Sequence, residues 1–309
     1  MRVVFFGNGE FGLPTLRRLA SSPHKVMAVI TNPDKPQGRG HRPTPTPIKQ
    51  EAERLGLPVW EVESPRDPTL SDRLRELQAH AFVVVAYRLL PRAVWSLPPL
   101  GALNIHPSLL PAYRGPAPIP WTIIRGEKTT GLTIFQIRDG VDTGDVVLQR
   151  AFPLPEEWDA GELERFLSEI GAQMLLEALE GLSLGRLQPR PQAEVPDAPY
   201  APKLSAANTR ILWTQSAEAV YNFIRGLSPR PRAWTLFQGK RFHILRAEKL
   251  PPRRLIHPAG TLWREEDFPV VACQDAPLRL LTVQLEGRKL LSGPEFVQGY
   301  VRNQLLHLE

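Results

Sequence analysis

The sequence predicts an α/β fold, a doubly wound sheet followed by a small all-β barrel, and three observations carry that reading. Residues 1–150 alternate short apolar runs with helical patterns, the succession that builds strand–helix–strand units. Ala81–Ala86 is an unbroken apolar run of the kind a strand carries when both faces of its sheet are covered. Beyond a proline-rich stretch, five strand-length runs recur without helices between them, which suits a closed antiparallel sheet.

In order, Arg2–Phe6, Lys25–Thr31, Ala81–Ala86 and Ala102–Ile105 read as strands, with helical patterns over Phe11–Ala20, Pro47–Leu55 and Thr69–Gln78. Right-handed crossovers between such strands place ligands beyond their carboxyl ends, and Asn104 stands at one of those ends. Gly131–Ile137 and Asp145–Phe152 read as two further strands joined by the loop 138–144, and a helix follows over Gly161–Leu182. Residues 1–183 are therefore expected to form one doubly wound α/β domain. Five prolines between 183 and 205 stiffen the chain into a spacer, so 184–205 is read as a linker. Residues 206–309 hold one helix, Ser216–Gly226, then strands at Ala233–Phe237, Arg241–Ala247, Gly260–Trp263, Val270–Cys273 and Leu278–Leu285. An OB-like barrel is the expected fold there.

Composition narrows the class. The longest apolar stretch, Ala81–Tyr87, is far shorter than a membrane span, and the amino terminus shows no secretory pattern. Cys273 is the single cysteine, which excludes an intrachain disulfide and a cysteine-based zinc cluster and suits a reducing cytoplasm. It lies in an apolar run and reads as a small buried hydrophobe. Residues 205–309 hold 15 Lys and Arg against 9 Asp and Glu, the whole of the chain's net +6. That asymmetry admits either a nucleic-acid-facing module or a plain solvated basic surface.

Gly7-Asn8-Gly9-Glu10-Phe11-Gly12 matches the dinucleotide fingerprint between a strand and a helix, with Asp34 where a ribose-binding acid is sought. An NAD(P)-dependent oxidoreductase is thus one reading. However, Asp34 lies inside Asn32-Pro33-Asp34-Lys35-Pro36, already a proline-rich loop.

The segment from Leu103 to Pro118 carries more chemistry. Side chains two apart on a strand point to one face, so Asn104 and His106 are presented together, and Pro107 ends the strand. An amide that donates to a developing oxyanion and an imidazole that relays a proton suit acyl transfer to an amine. Asp142, between Gly140 and Gly144, is the candidate carboxylate to orient and charge-balance the imidazole. Singly, each has an ordinary reading: a strand-end His is a hydrogen-bonder, and Asp-Thr-Gly forms turns.

Asn104-Ile105-His106-Pro107-Ser108-Leu109-Leu110-Pro111, with Tyr113-Arg114-Gly115 and Ala117-Pro118-Ile119 after it, resembles the signature of folate-dependent formyltransferases. Gly140-Val141-Asp142-Thr143-Gly144-Asp145 is similar to that family's second motif. The resemblance implies that 1–183 is a Rossmann-like catalytic domain with a catalytic trio at Asn104, His106 and Asp142 and 10-formyltetrahydrofolate as co-substrate. No zinc pattern such as H-E-x-x-H occurs, so no metal is expected. It implies that Ser108, Leu109, Leu110 and Pro111 form the folate-contacting turn, and that Leu89, Leu90 and the 138–142 backbone meet the ring. Which of His106 and Asp142 is the immediate base stays open. The similarity covers nearly the whole chain and is best for the branch that formylates initiator methionyl-tRNA, whose loop after the second strand is matched by 32–40. Arg39 and Arg42 are then expected at the acceptor stem, with the basic last third along the tRNA. A cytoplasmic monomer without membrane contact is expected. Arg88, Pro120 and Arg230 depart from the family pattern. Transfer to a small amine such as an amino-sugar nucleotide, or a non-catalytic RNA-binding module, are the other readings.

Overall fold

Strand β1 (Arg2–Gly7) starts a seven-stranded sheet and leads through a short 3-10 turn into α1 (Leu13–Ala20). Then come β2 (Lys25–Thr31), the hairpin β3 (Lys35–Gln37) and β4 (Arg42–Thr44), α2 (Pro47–Arg54), β5 (Val59–Glu61), α3 (Pro68–Glu76) and β6 (Ala81–Val85). After these follow α4 (Arg92–Trp95), β7 (Ala102–His106), α5 (Pro118–Ile124), β8 (Thr129–Gln136), β9 (Asp145–Pro153) and the long α6 (Ala160–Ser183). The computed structural model describes residues 1–37, 42–253, 256–301 and 304–309, with only the backbone at 37 and 42.

The strand order is β5-β2-β1-β6-β7-β8-β9. Neighbouring strands from β5 to β7 are parallel, and β8 is antiparallel to β7. The order reverses between β1 and β6, so the crevice at their carboxyl ends is the topological switch point. Every residue of β6 is buried, as its unbroken apolar run requires. Phe6, Ile30, Phe82, Val84, Leu70 and Leu74 fill one core on this sheet.

By density of internal packing the chain divides into two units. The first comprises Met1–Gly115, Thr130–Phe152 and Glu164–Tyr200; the second comprises Pro116–Thr129, Pro153–Leu163 and Ala201–Glu309. In the second unit α7 (Ala217–Gly226) precedes β10 (Ala233–Phe237), β11 (Lys240–Lys249), β12 (Thr261–Glu265), β13 (Phe268–Ala272), β14 (Pro277–Leu285), β15 (Leu291–Ser292), α8 (Gly293–Tyr300) and β16 (Leu306–His307). The sheet runs β10-β11-β14-β13-β12-β16, and a bridge from Leu308 back to Phe237 nearly closes it into a barrel. Phe242 and Phe296 stack at 4.7 Å in its centre. Cys273 is buried there, and burial pushes its thiol up to about 12, so it behaves as a hydrophobe.

Several elements escape a sequence reading for identifiable reasons. β5 and β16 have three and two residues, too few to show a period. α5 is masked by Pro118 and Pro120, which stand in its first turn, where a missing N–H breaks no helical bond. The hairpin β3–β4 lies in the stretch read as a proline-rich loop. Asp34 is not presented as a ribose ligand: its carboxylate pairs with Lys49 Nζ at 2.8 Å. Residues 190–200 bond along the first unit rather than standing free of it. Val146 and Arg190 exchange backbone hydrogen bonds of 2.7 and 2.9 Å, and Tyr113 N–H donates to Pro199 O at 2.5 Å.

Candidate active site

β7 lies between β6 and β8, with Asn104 opposite Val84 and Phe135 and His106 opposite Thr133. Asn104 is half-buried and His106 is 5% exposed. The chain then turns through Ser108–Pro111 and returns beneath the imidazole. Tyr113 adopts a φ of +59°, and its carbonyl lies 2.9 Å from His106 Nε2.

That contact sets the tautomer. A carbonyl oxygen only accepts, so Nε2 carries the hydrogen, and the neutral ring keeps its lone pair on Nδ1. Asp142 Oδ2 is 3.8 Å from Nδ1, too far for a hydrogen bond and close enough to favour an imidazolium. Burial pushes the His106 pKa below its ordinary value, against the opposing pull of the Asp142 charge and the Tyr113 carbonyl. His106 is thus a neutral base at pH 7 with an available Nδ1.

Asp142 is fixed by its surroundings. Its φ is +55°, a conformation L residues adopt at a cost unless the loop imposes it. Oδ2 accepts the Gly115 N–H at 2.9 Å, and Thr143 Oγ1 donates to Asp139 O at 2.7 Å within the loop. Gly144 packs with no room for a side chain, since a Cβ there would lie 1.7 Å from Gln136 O.

The Ser108–Pro111 turn is held from behind. Thr133 Oγ1 donates to Ser108 O at 2.7 Å and accepts from Leu110 N at 3.2 Å and from Gln149 Nε2 at 2.8 Å. Gln149 Nε2 also reaches Leu110 O at 3.0 Å. Ser108 itself is buried, with its hydroxyl donating to Ala112 O at 2.6 Å. Thr133→Val keeps the volume and orphans these groups, at about 1–3 kcal/mol. The expected result is a several-fold rise in KM for the formyl donor with a smaller change in kcat. An unchanged KM in steady-state kinetics would exclude the network from donor binding.

Leu90 is buried in the core, whereas Leu89 is 69% exposed and Val141 is 42% exposed. Two exposed apolar side chains therefore stand on the 86–92 and 138–144 loops. Arg92 and Asp139, 3.9 Å apart, link those loops. Arg39 lies outside the described residues, and Arg42 is described only as backbone in β4. Among the described residues no group of three His, Cys, Asp or Glu has metal-holding geometry. Tyr113 O, Gly115 N–H, Thr133 and Gln149 were not visible as site residues, because backbone groups carry no side-chain identity and the two polar side chains sit in ordinary strand patterns.

An amide, a neutral imidazole and a carboxylate at the carboxyl edge of an α/β sheet are an arrangement suited to group transfer by acyl chemistry. The chain belongs to the formyl transferase family, matching the family's profile "Formyl transferase" over residues 1–179 and "Formyl transferase, C-terminal domain" over 203–301. Its full-length relatives place it with the methionyl-tRNA formyltransferases. The enzyme of that name from Chlorobium luteolum is 42% identical over 97% of each chain. That from Porphyromonas gingivalis is 37% identical over 100% of this chain and 98% of its own. Among solved structures, HypX from Aquifex aeolicus in complex with tetrahydrofolic acid has a TM-score of 0.68 at 21% identity, covering 98% of this chain, which spans about half (48%) of HypX. WlaRD, a sugar 3N-formyl transferase, has a TM-score of 0.67 at 15% identity over 94% of this chain and 99% of its own. These structures show the shared fold.

Proposed function

We infer that the chain transfers a formyl group from 10-formyltetrahydrofolate to the α-amino group of methionyl initiator tRNA, as a cytoplasmic monomer. The carrying observation is His106, whose Nε2 is occupied by Tyr113 O and whose Nδ1 faces Asp142. The donor supplies an activated formyl carbon, held against the Ser108–Pro111 turn, Leu109, Leu89, Leu90 and the 138–142 backbone.

As the amine attacks, a C–N bond forms and negative charge gathers on the formyl oxygen. The Asn104 amide is on the strand face that supplies a donor to it. The attacking nitrogen loses a proton to His106 Nδ1, and the Asp142 carboxylate stabilises the imidazolium. His106 then returns the proton to the departing folate nitrogen as its bond to the formyl carbon breaks. Residues 1–183 carry this chemistry. Arg39 and Arg42 meet the acceptor stem, and 206–309 bind the rest of the tRNA. Trp234 supports the RNA reading: the Arg241 guanidinium lies 4.5 Å and that of Arg210 5.6 Å from its ring centroid. This pairing of cations with an aromatic plane suits a polyanion bearing bases.

An acceptor panel tests the reading. With formyl-folate supplied, methionyl-tRNA is expected to be formylated in preference to uncharged tRNA, glycinamide ribonucleotide and amino-sugar nucleotides. Apparent affinity is expected to fall steeply between low and physiological salt. Preference for an amino-sugar nucleotide, or a salt-independent KM for tRNA, would sink it.

A further inference from the structure

We propose that Gln192 is a positioning residue for the His106–Asp142 pair, holding the Asp142 loop against the Tyr113–Gly115 segment; this rests on the formyl-transfer reading above.

The Gln192 side-chain amide is fully engaged. Nε2 donates to Asp142 O at 2.8 Å and to Gly144 O at 2.8 Å. Oε1 accepts from Arg114 Nε at 3.1 Å and from Arg114 Nη2 at 2.5 Å. Its four hydrogen bonds therefore go to two segments. One carries the Asp142 carboxylate, and the other carries Tyr113 O, which fixes the His106 tautomer, and Gly115 N–H, which holds Asp142 Oδ2. The two walls that address the imidazole from its two nitrogens are thus joined through one amide.

Gln192 is anchored on both sides. Arg190 and Val146 exchange backbone hydrogen bonds of 2.7 and 2.9 Å, and Pro199 O accepts the Tyr113 N–H at 2.5 Å. Residues 190–200 form a strap along the site, with Gln192 at the point where it crosses the Asp142 loop. The need for such a strap is conformational. Asp142 sits at φ +55°; Gln192 holds its backbone carbonyl, while the Gly115 N–H holds its carboxylate. A loop in a sparsely populated backbone region persists only when its surroundings impose it.

Glutamine suits this place because two donors and one acceptor are required at once. Glutamate keeps the arginine pairing and sets a carboxylate oxygen against two carbonyls. Alanine removes all four bonds. A role confined to pinning the strap would lower stability in either variant and leave the remaining chemistry intact once folded.

The test uses the full chain with Gln192→Ala and Gln192→Glu, in single-turnover formylation at saturating formyl-folate and methionyl-tRNA. A displacement of the carboxylate by about an ångström is expected to slow the chemical step about 10- to 100-fold. The KM for the formyl donor is expected to change less than about threefold, since of the proposed donor contacts only the 138–142 backbone moves and the Ser108–Pro111 turn, held by Thr133 and Gln149, stays in place. In a cycle with Asp142→Asn, the variant carrying both Gln192→Ala and Asp142→Asn is expected to be no more than about twofold slower than Asp142→Asn alone, because both act through one carboxylate. The His106 titration midpoint, read by NMR, is expected to fall in Gln192→Ala as it does in Asp142→Asn.

Rates within about twofold of the unaltered chain in both variants, or losses that multiply in the cycle, overturn the proposal. If the alanine variant does not fold, the near-isosteric glutamate variant decides, and a wild-type rate there overturns the idea. Failure of the functional reading is distinguishable. A chain that formylates no methionyl-tRNA removes that acceptor, and the His106 midpoint still supports positioning if it falls and refutes it if it stays.

Discussion

His106→Ala is expected to lower the single-turnover rate of formyl transfer about 100- to 10,000-fold, with the affinity for folate little changed. The proposed base is buried, neutral and supplied with a lone pair on Nδ1 by the Tyr113 carbonyl. No other histidine is paired with a carboxylate at this edge among the described residues. The pH dependence follows from the direction of the shift. Burial lowers the His106 pKa from its ordinary 6.5, so the base form dominates at pH 7, and kcat should fall on the acid side with a midpoint below 6.5. The same residue affects stability. Between its folded and unfolded pKa values the unfolded chain binds the extra proton, so the stability present above the unfolded value is lost as pH falls through that window. A His106→Ala enzyme with a near-normal rate, or an acid limb centred above 6.5, would remove His106 as the base.

Gly144→Ala is expected to cost about 2–3 kcal/mol and to slow transfer by about 100-fold. The added Cβ would meet Gln136 O at 1.7 Å and Gln136 C at 2.8 Å. Both are backbone atoms of β8 and cannot turn aside as a side-chain end would. The loop must move instead, carrying Asp142 away from His106. Melting should fall by roughly 5–10 °C, read by circular dichroism, with the rate measured at a temperature where the variant is folded. An alanine variant with unchanged melting and rate would show that the loop relaxes without displacing the carboxylate.

Much of the architecture is legible without coordinates. β6 had to be central because only a strand covered on both faces carries five consecutive buried apolar residues. The five barrel strands announce themselves as short apolar runs punctuated by turns, and glycine or proline marks most of their ends. Asn104 and His106 are two apart on one strand, so their shared face is dictated by the pleat alone. Asp142 was a candidate by its setting between two glycines. The charge split was equally plain, as counts of residues require no fold.

Short or proline-led elements were not legible. β5 and β16 hold too few residues for a period, and α5 opens on prolines that a local reading takes as a break. The stretch 184–205 looks like a spacer because five prolines dominate it, yet Arg190 bonds to β9 and Gln192 and Pro199 bond to the sheet's loops.

What the sequence by itself determined is the class of fold, the pairing of amide and imidazole, and the family whose motifs they carry. These follow from patterns that repeat over a few residues and report burial or a shared face. Only the tertiary structure decided that Asp142 comes within 3.8 Å of Nδ1, that Tyr113 O selects the tautomer, and that Gln192 joins the two walls of the site. Those relations run through backbone carbonyls and amides, identical at every residue, and through loops whose closure depends on distant packing. No local pattern encodes them.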